Sequence, residues 1–499
     1  MNKTDSPAYR RTIELYRDID SLDSSISLLN WDRQVLMPPG GTEARSAQVA
    51  LLARMRHRLL TSDEFQKAVE EAGDEVVGDL TAEAAIRVLR RELAVQTKLP
   101  AELVSRKARV SSDAYEVWKV AKLANDFPKL QPYLEELFDI NRETAERIGY
   151  QNHIYDALID LFEEGATYGA AKQMFQSLKD PTIRLLQEIK EKAGVDDSFL
   201  AKDFDRPKLR DFAQRTASKI GFDFNSGRLD LCANAFCTHL ANCDIRMTTR
   251  PSDHLKGIVS SSLHEMGHGL YEQNSPIAFE GTPLPGGISL AVHESQSRLW
   301  ENIVGRARGF WQHFLPDLQK TFTELTSVSV DSMYRAINKV KPDFIRVGSD
   351  EVSYNLHILV RFELEVEIIT GKLAMMDLPE AWNSKYEAYL GLTPPTDTLG
   401  CLQDVHWSRG TVGYFPTYTM GNLISYQMWA CLVNELGDQE DNMAAGNFGP
   451  ILDWLREKVY HQAKLYTPYD LVSNATGRPM AADSIIQGLS RKYRSIYGL

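Results

Sequence analysis

The chain has 499 residues, 56 Lys and Arg against 68 Asp and Glu, and a formal net charge of −12. Apolar residues make up 43% and charged residues 25%, with 31 Gly and 21 Pro, which excludes disordered, collagen-like and linker-like chains. The acidic balance excludes a general nucleic-acid binder, although it leaves room for a local basic pocket. Met1-Asn2-Lys3-Thr4-Asp5-Ser6-Pro7 runs into charged helical sequence without an apolar leader, and no run reaches the roughly 18 apolar residues of a membrane span, so neither a secretory signal nor a membrane segment is expected. The 5 cysteines are too few and too irregularly spaced for a disulfide scaffold and read as reduced thiols of a cytoplasmic protein. Cys232, Cys237 and Cys243 lie close together, but their spacing does not match common metal-ligand pairs and they are read as structural.

The first two hundred residues predict helix after helix. Leu15, Ile19, Leu22, Ile26 and Leu29 form an amphipathic stripe that stops at Met37-Pro38-Pro39-Gly40-Gly41, and a new helix is expected near Thr42-Glu43. Further helices are expected over about 81–97, 101–126, 129–148 and 168–194. The texture changes around Gly221. Segments over about 221–253, 275–289 and 391–422 are rich in Gly, Pro and Asn, with short strands expected at Arg228–Cys232 and Asp244–Thr249. Helices resume over about 253–273, 290–306, 331–341, 350–371, 421–437 and 448–464, the first of them starting at Pro251-Ser252-Asp253.

One motif carries chemistry more than any other. His264-Glu265-Met266-Gly267-His268 is an HExxH in a chain with only 11 histidines. On a helix, positions i and i+4 share a face, so both imidazoles can point at one ion while Glu265 reaches a water beside it. A catalytic zinc needs a third protein ligand and an open position. The extended metzincin pattern is excluded because Tyr271 and Asn274 stand where it requires Gly and His. Glu294, in Ser289-Leu-Ala-Val-His-Glu-Ser-Gln-Ser-Arg-Leu-Trp300, would complete a His2Glu set, with Glu272 and Glu280 as competitors. His293 and His406 can orient a ligand or donate to a developing oxyanion. His57, His153, His313 and His461 are read as structural.

Several motifs together resemble the carboxypeptidase Taq family of zinc metallocarboxypeptidases. They are Asp244-Ile-Arg-Met-Thr248, the HExxH, His293-Glu-Ser-Gln296, Ile345-Arg-Val-Gly-Ser-Asp350, Gly400-Cys-Leu-Gln-Asp-Val-His-Trp407 and Gly413-Tyr-Phe-Pro-Thr-Tyr418, with Trp31-Asp32 and Met37-Pro-Pro-Gly-Gly41 near the N-terminus. Two departures stand out: Ser349 replaces the Ala or Gly favoured before Asp350, and Asn234-Ala235-Phe236 stands where the family has His-Pro-Phe.

The resemblance implies an all-α chain with a small β element near the active site, in a neurolysin-like and angiotensin-converting-enzyme-like helical fold with a deep groove. It implies one peptidase domain over 1–499, with 1–220 flanking the groove and 221–499 carrying the metal site, and a homodimer. It favours Glu294 as third ligand beside His264 and His268. It makes Glu265 the general base, His406 and Tyr418 the candidate oxyanion donors, and Arg346, rather than Arg246, the clamp for a peptide carboxylate. Each arginine also has a plain structural reading, Arg246 paired with Asp244 and Arg346 with Asp350 or another acid. Zinc is the expected metal, with cobalt or manganese as substitutes. The expected substrates are peptides cut at the C-terminal bond, with no nucleic-acid or membrane partner. The alternatives are a zinc endo-oligopeptidase and a non-catalytic helical peptide-binding scaffold.

Overall fold

A computed structural model describes residues 6–252 and 254–499. The readings of Met1–Asp5 as leaderless sequence and of Asp253 as part of a helix start lie outside those residues. Helix α1 (Pro7–Val35) opens with Ser6 accepting a hydrogen bond from the Tyr9 amide and with Pro7 in the first turn, where its missing N–H costs nothing. The stripe of α1 buries Ile19 fully and the later members by half. Pro39–Gly41 forms one 3-10 turn, and α2 (Thr42–Leu60) starts at the expected residue. Helices α3 (Asp63–Glu75) and α4 (Leu80–Lys98) close a separate N-terminal core with α1, built on Tyr9, Ile13, Phe65, Val69, Ile86 and Leu89. Then follow α5 (Ala101–Ala124), α6 (Phe127–Ile148), α7 (Ile154–Asp160), α8 (Tyr168–Lys190) and α9 (Arg206–Ile220).

The chain next forms three short strands, β1 (Gly227–Leu231), β2 (Cys237–Ala241) and β3 (Asp244–Thr249). The sheet order is β1-β3-β2, with β1 parallel and β2 antiparallel to β3, and Arg246 paired with Arg228 on one side and Thr238 on the other. The two expected strands are β1 and β3; β2, half-buried along its whole length, is an addition.

The metal motif lies on α10 (Leu255–Gln273), which begins at His254. Helix α11 (Leu290–Arg298) runs into a π-helical turn at Leu299–Val304, so the single helix expected over 290–306 changes its hydrogen-bonding register at Leu299. The rest of the chain comprises α12 (Arg308–Thr321), α13 (Val330–Ile337), α14 (Tyr354–Ile369), α15 (Leu378–Leu390), α16 (Pro416–Leu436), α17 (Glu440–Ala444), α18 (Gly449–Lys458), α19 (Pro468–Thr476) and α20 (Asp483–Tyr497). Helices α14 and α16 are buried almost all round, as their near-continuous apolar sequence demands. They share one large core with α10 and α11, in which Trp300, Trp311 and Trp382 are fully enclosed.

Candidate active site

On α10 the apolar positions Leu263, Met266 and Leu270 face the core, which turns His264 and His268 together to the other side. Their ring centroids lie 4.9 Å apart. Helix α11 supplies Glu294, whose Oε2 lies 3.6 Å from Nε2 of each histidine. Glycine at position 421 of α16 permits this placement, because a Cβ there would lie 2.8 Å from Glu294 Cγ. The three ligand atoms all fall within 4.8 Å of one another. Two imidazoles and one carboxylate suit a divalent transition metal such as zinc; calcium and magnesium prefer all-oxygen sets. Neither competitor for the third position joins them: Glu272 bonds His239 and His293, and Glu280 accepts from the Asn242 amide.

His264 and Glu294, with Glu265, lie on the wall of a cavity of about 820 Å³, so that side of the set faces open space; His268 is not among the lining residues. Behind the ligands, His264 Nδ1 meets Glu301 Oε2 at 3.0 Å, and Arg298 reaches Glu294 Oε1 at 2.6 Å and Glu301 at 3.3 Å. Burial acts to raise the carboxyls, but Arg298 and the two histidines hold Glu294 well below the usual range, and the hydrogen bond from His264 to Glu301, followed by the charge of Arg298, brings Glu301 down to about 2. Glu265 behaves in the opposite way. Burial pushes its carboxyl up to about 7 despite neighbouring His264, and its Oε2 is enclosed without a hydrogen-bond partner. An unsatisfied carboxylate oxygen on the cavity wall suits a proton acceptor better than a structural strut.

Arg346 and Tyr418 line the same cavity. The Arg346 guanidinium donates to Asp404 at 2.8 Å and to the Tyr354 hydroxyl at 3.0 Å, and lies 5.0 Å over the Tyr418 ring. Asp404 also accepts from the fully buried Arg361 at 2.6 Å, so two guanidiniums share one carboxylate and a net positive charge is left over. Asp404 is thus the other acid of the plain structural reading of Arg346, while Asp350 accepts from the amides of Val352 and Ser353. His406 Nε2 lies 3.4 Å from the Tyr418 hydroxyl, and burial together with the nearby arginines lowers its imidazole to about 4, which keeps it neutral. His406 itself is not among the cavity-lining residues.

Arg246 pairs with Asp244. Both ends of its guanidinium bond Asp244 at 2.9 Å, it stacks 4.3 Å over Trp31, and it does not line the cavity. Trp31 thus gains a purpose within the N-terminal motif, as a platform for the strand arginines. None of His57, His153, His313 and His461 lines the cavity; His153 caps α7 through its Nδ1. Sequence reasoning missed Glu301, Arg298, His239, Tyr354 and Arg361. Only Arg298 carried a local signal, four residues after Glu294 on one helix face.

The model of the carboxypeptidase Taq (M32) metallopeptidases matches residues 11–493 of the chain. The chain belongs to this family. The M32 relatives include carboxypeptidase 1 of Bacillus subtilis, 35% identical over 97% of both chains, and thermostable carboxypeptidase 1 of Thermus thermophilus, 37% identical over 99% of this chain and all of that one. The M32 carboxypeptidase from Deinococcus radiodurans R1 superposes with a TM-score of 0.97 at 36% identity, covering 99% of this chain and all of that one. This M32 member is therefore a mainly helical metallocarboxypeptidase that uses a divalent metal. Among the described residues, no helix is long and apolar enough to cross a membrane.

Proposed function

We propose that the enzyme removes single residues from the C-termini of peptides, with zinc held by His264, His268 and Glu294. Zinc, when bound, supplies Lewis acidity to the scissile carbonyl and lowers the pKa of water toward ~7. Glu265 takes the proton from the attacking water and hands it to the leaving amine; its buried, unpartnered oxygen and raised pKa suit both steps. The Tyr418 hydroxyl donates to the developing oxyanion, and His406, neutral and behind it, holds that hydroxyl in place. Arg346 binds the free carboxylate of the substrate with the positive charge that Asp404 leaves unmatched.

The whole chain from 1 to 499 works as one peptidase domain, with 1–220 flanking the groove and 221–499 carrying the metal site. It acts as a homodimer in the cytoplasm, and cobalt or manganese can replace zinc. The observation that carries the reading is the His264–His268–Glu294 triangle, of which His264 and Glu294 lie on the wall of a cavity that Arg346 also lines. Elemental analysis tests it: one zinc per chain in the wild type, and loss of bound metal in His264→Ala and Glu294→Ala. A chelated protein should be inactive and regain activity with zinc or cobalt. Full activity without metal, or full metal content in both variants, would overturn it.

A further inference from the structure

The two histidines of the metal motif are supported differently. His264 Nδ1 meets a carboxylate directly, Glu301 at 3.0 Å. His268 Nδ1 instead faces the Nδ1 of another imidazole, His293, with which it forms a hydrogen bond; the ring centroids lie 4.4 Å apart. On its far side, His293 Nε2 lies 2.6 Å from Glu272 Oε1. The other oxygen of Glu272 lies 2.6 Å from His239 Nδ1, and the Gly287 amide donates to Oε1 at 3.2 Å. Four side chains from α10, α11 and β2 thus form one line, His268–His293–Glu272–His239.

The chemistry of these groups decides where the protons sit. An ionised carboxylate only accepts, so His293 donates from Nε2, and a neutral imidazole that donates from one nitrogen accepts at the other. The single proton between the two Nδ1 atoms therefore belongs to His268. That leaves His268 Nε2 with its lone pair free, and Nε2 is the nitrogen 3.6 Å from Glu294 Oε2. The surroundings hold Glu272 for this task. It is 7% exposed, and Gly286, at φ +81°, lets the Pro285–Gly287 loop fold over it, since a Cβ there would lie 2.7 Å from Glu272 Oε2.

We propose that Glu272 and His293 are positioning residues that fix His268 in the Nδ1–H tautomer, with its Nε2 presented to the metal, and that His239 anchors the carboxylate from behind. This rests on the reading of His264, His268 and Glu294 as the ligand set. Carboxylates that support ligating histidines typically contribute about 10–100-fold to metal affinity. Here the carboxylate acts at one remove, through an imidazole.

Zinc affinity of the full-length protein, measured by competition with a chromophoric chelator, tests the proposal. His293→Phe keeps the bulk but removes the acceptor, and should weaken zinc about 10–100-fold. His293→Gln restores an acceptor and a donor and should recover much of that loss. Glu272→Gln should weaken zinc about 10-fold and shift the visible bands of the cobalt-loaded protein. Circular dichroism of the metal-free variants reports folding, and Glu272→Gln carries the test if His293→Phe does not fold. Equal, wild-type affinity in His293→Phe and Glu272→Gln would overturn the proposal, as would equal losses in His293→Phe and His293→Gln, which would mean packing alone. His268→Ala separates the two readings. If it keeps wild-type zinc affinity, the ligand set is wrong; if it loses zinc while His293→Phe does not, only the positioning role is wrong.

Discussion

Glu265 is the residue on which turnover most depends, because it is the carboxylate beside the ligand set that holds no hydrogen bond at Oε2. Glu265→Gln keeps shape and volume but cannot take a proton. It should retain zinc and lose about 10²–10⁴-fold in kcat, measured on a short free-carboxylate peptide. Emptying of the metal site by this variant would show that Glu265 is a ligand instead. A charge-assisted contact to a desolvated carboxylate is worth roughly 2–5 kcal/mol when truncated, so Arg346→Ala should lower kcat/KM on free-carboxylate peptides by roughly 30-fold or more. Arg246→Ala, which loses only the Asp244 pair and the Trp31 stack, should leave that ratio near wild type. Selective loss in Arg246→Ala alone would move the clamp to the strand. His264, Glu265 and His268 were legible as a group because one helical turn fixes their relation. Glu294 was not separable from Glu272 and Glu280 by spacing, because the choice is made by how α11 crosses α10.

At the scale of elements, the placement of Glu294 depends on the start of α11. Ser289 caps it by accepting from the Val292 amide at 3.1 Å, and the buried Glu163 accepts from the Ala291 amide at 2.9 Å. Burial pushes the Glu163 carboxyl from 4.5 up to about 7, against the hydrogen bonds from Ala291 and Ser289. A carboxyl raised in the folded state contributes stability that is present below its unfolded pKa and is lost as pH rises through the folded one. Wild type should therefore lose up to roughly 3 kcal/mol from this group between about pH 4.5 and 7.5. Glu163→Gln, which cannot ionise but still accepts from Ala291, should remove that part of the slope in urea unfolding at several pH values. An unchanged slope would mean that Glu163 is ionised at both ends of the range. Helices α1, α4, α5, α6 and α8 were legible because their stripes are long and their ends carry Pro, Gly or Asp; α2 was legible only at its start after Gly40-Gly41, since Leu60 alone of its residues is buried. Helix α20 lay beyond the expected helices, although its signal is in the sequence: Ile485, Leu489, Tyr493 and Ile496 recur at helical spacing and are buried along one face. The π-turn that brings Glu301 to His264 leaves no mark in a hydrophobic pattern, since it alters backbone register by one residue without altering which side is apolar.

Over the whole molecule, the N-terminal half is tied to the metal half through one shared hydrophobic core, to which Phe127, Phe138, Phe175 and Phe212 contribute, and through polar contacts. Ser24 of α1 donates to the Leu240 carbonyl in β2, next to His239, and Arg87 of α4 donates to the carbonyls of Lys464 and Tyr466. The helical class was legible from periodicity, whereas the cavity was not, since its walls come from segments as distant as Ala235, Arg346 and Ile485. Arg346 reaches it only because Asp404 and Tyr354 hold the guanidinium there. In the proposed function this cavity, with its metal site and its unmatched positive charge, trims peptides from the C-terminus. The most direct test is mass spectrometry of matched peptides with free and amidated C-termini, incubated with the zinc-loaded enzyme. The expected result is a ladder that loses one residue at a time from the free-carboxylate peptides and little cleavage of the amidated ones. Internal cleavage of both peptide types at equal rates would contradict it.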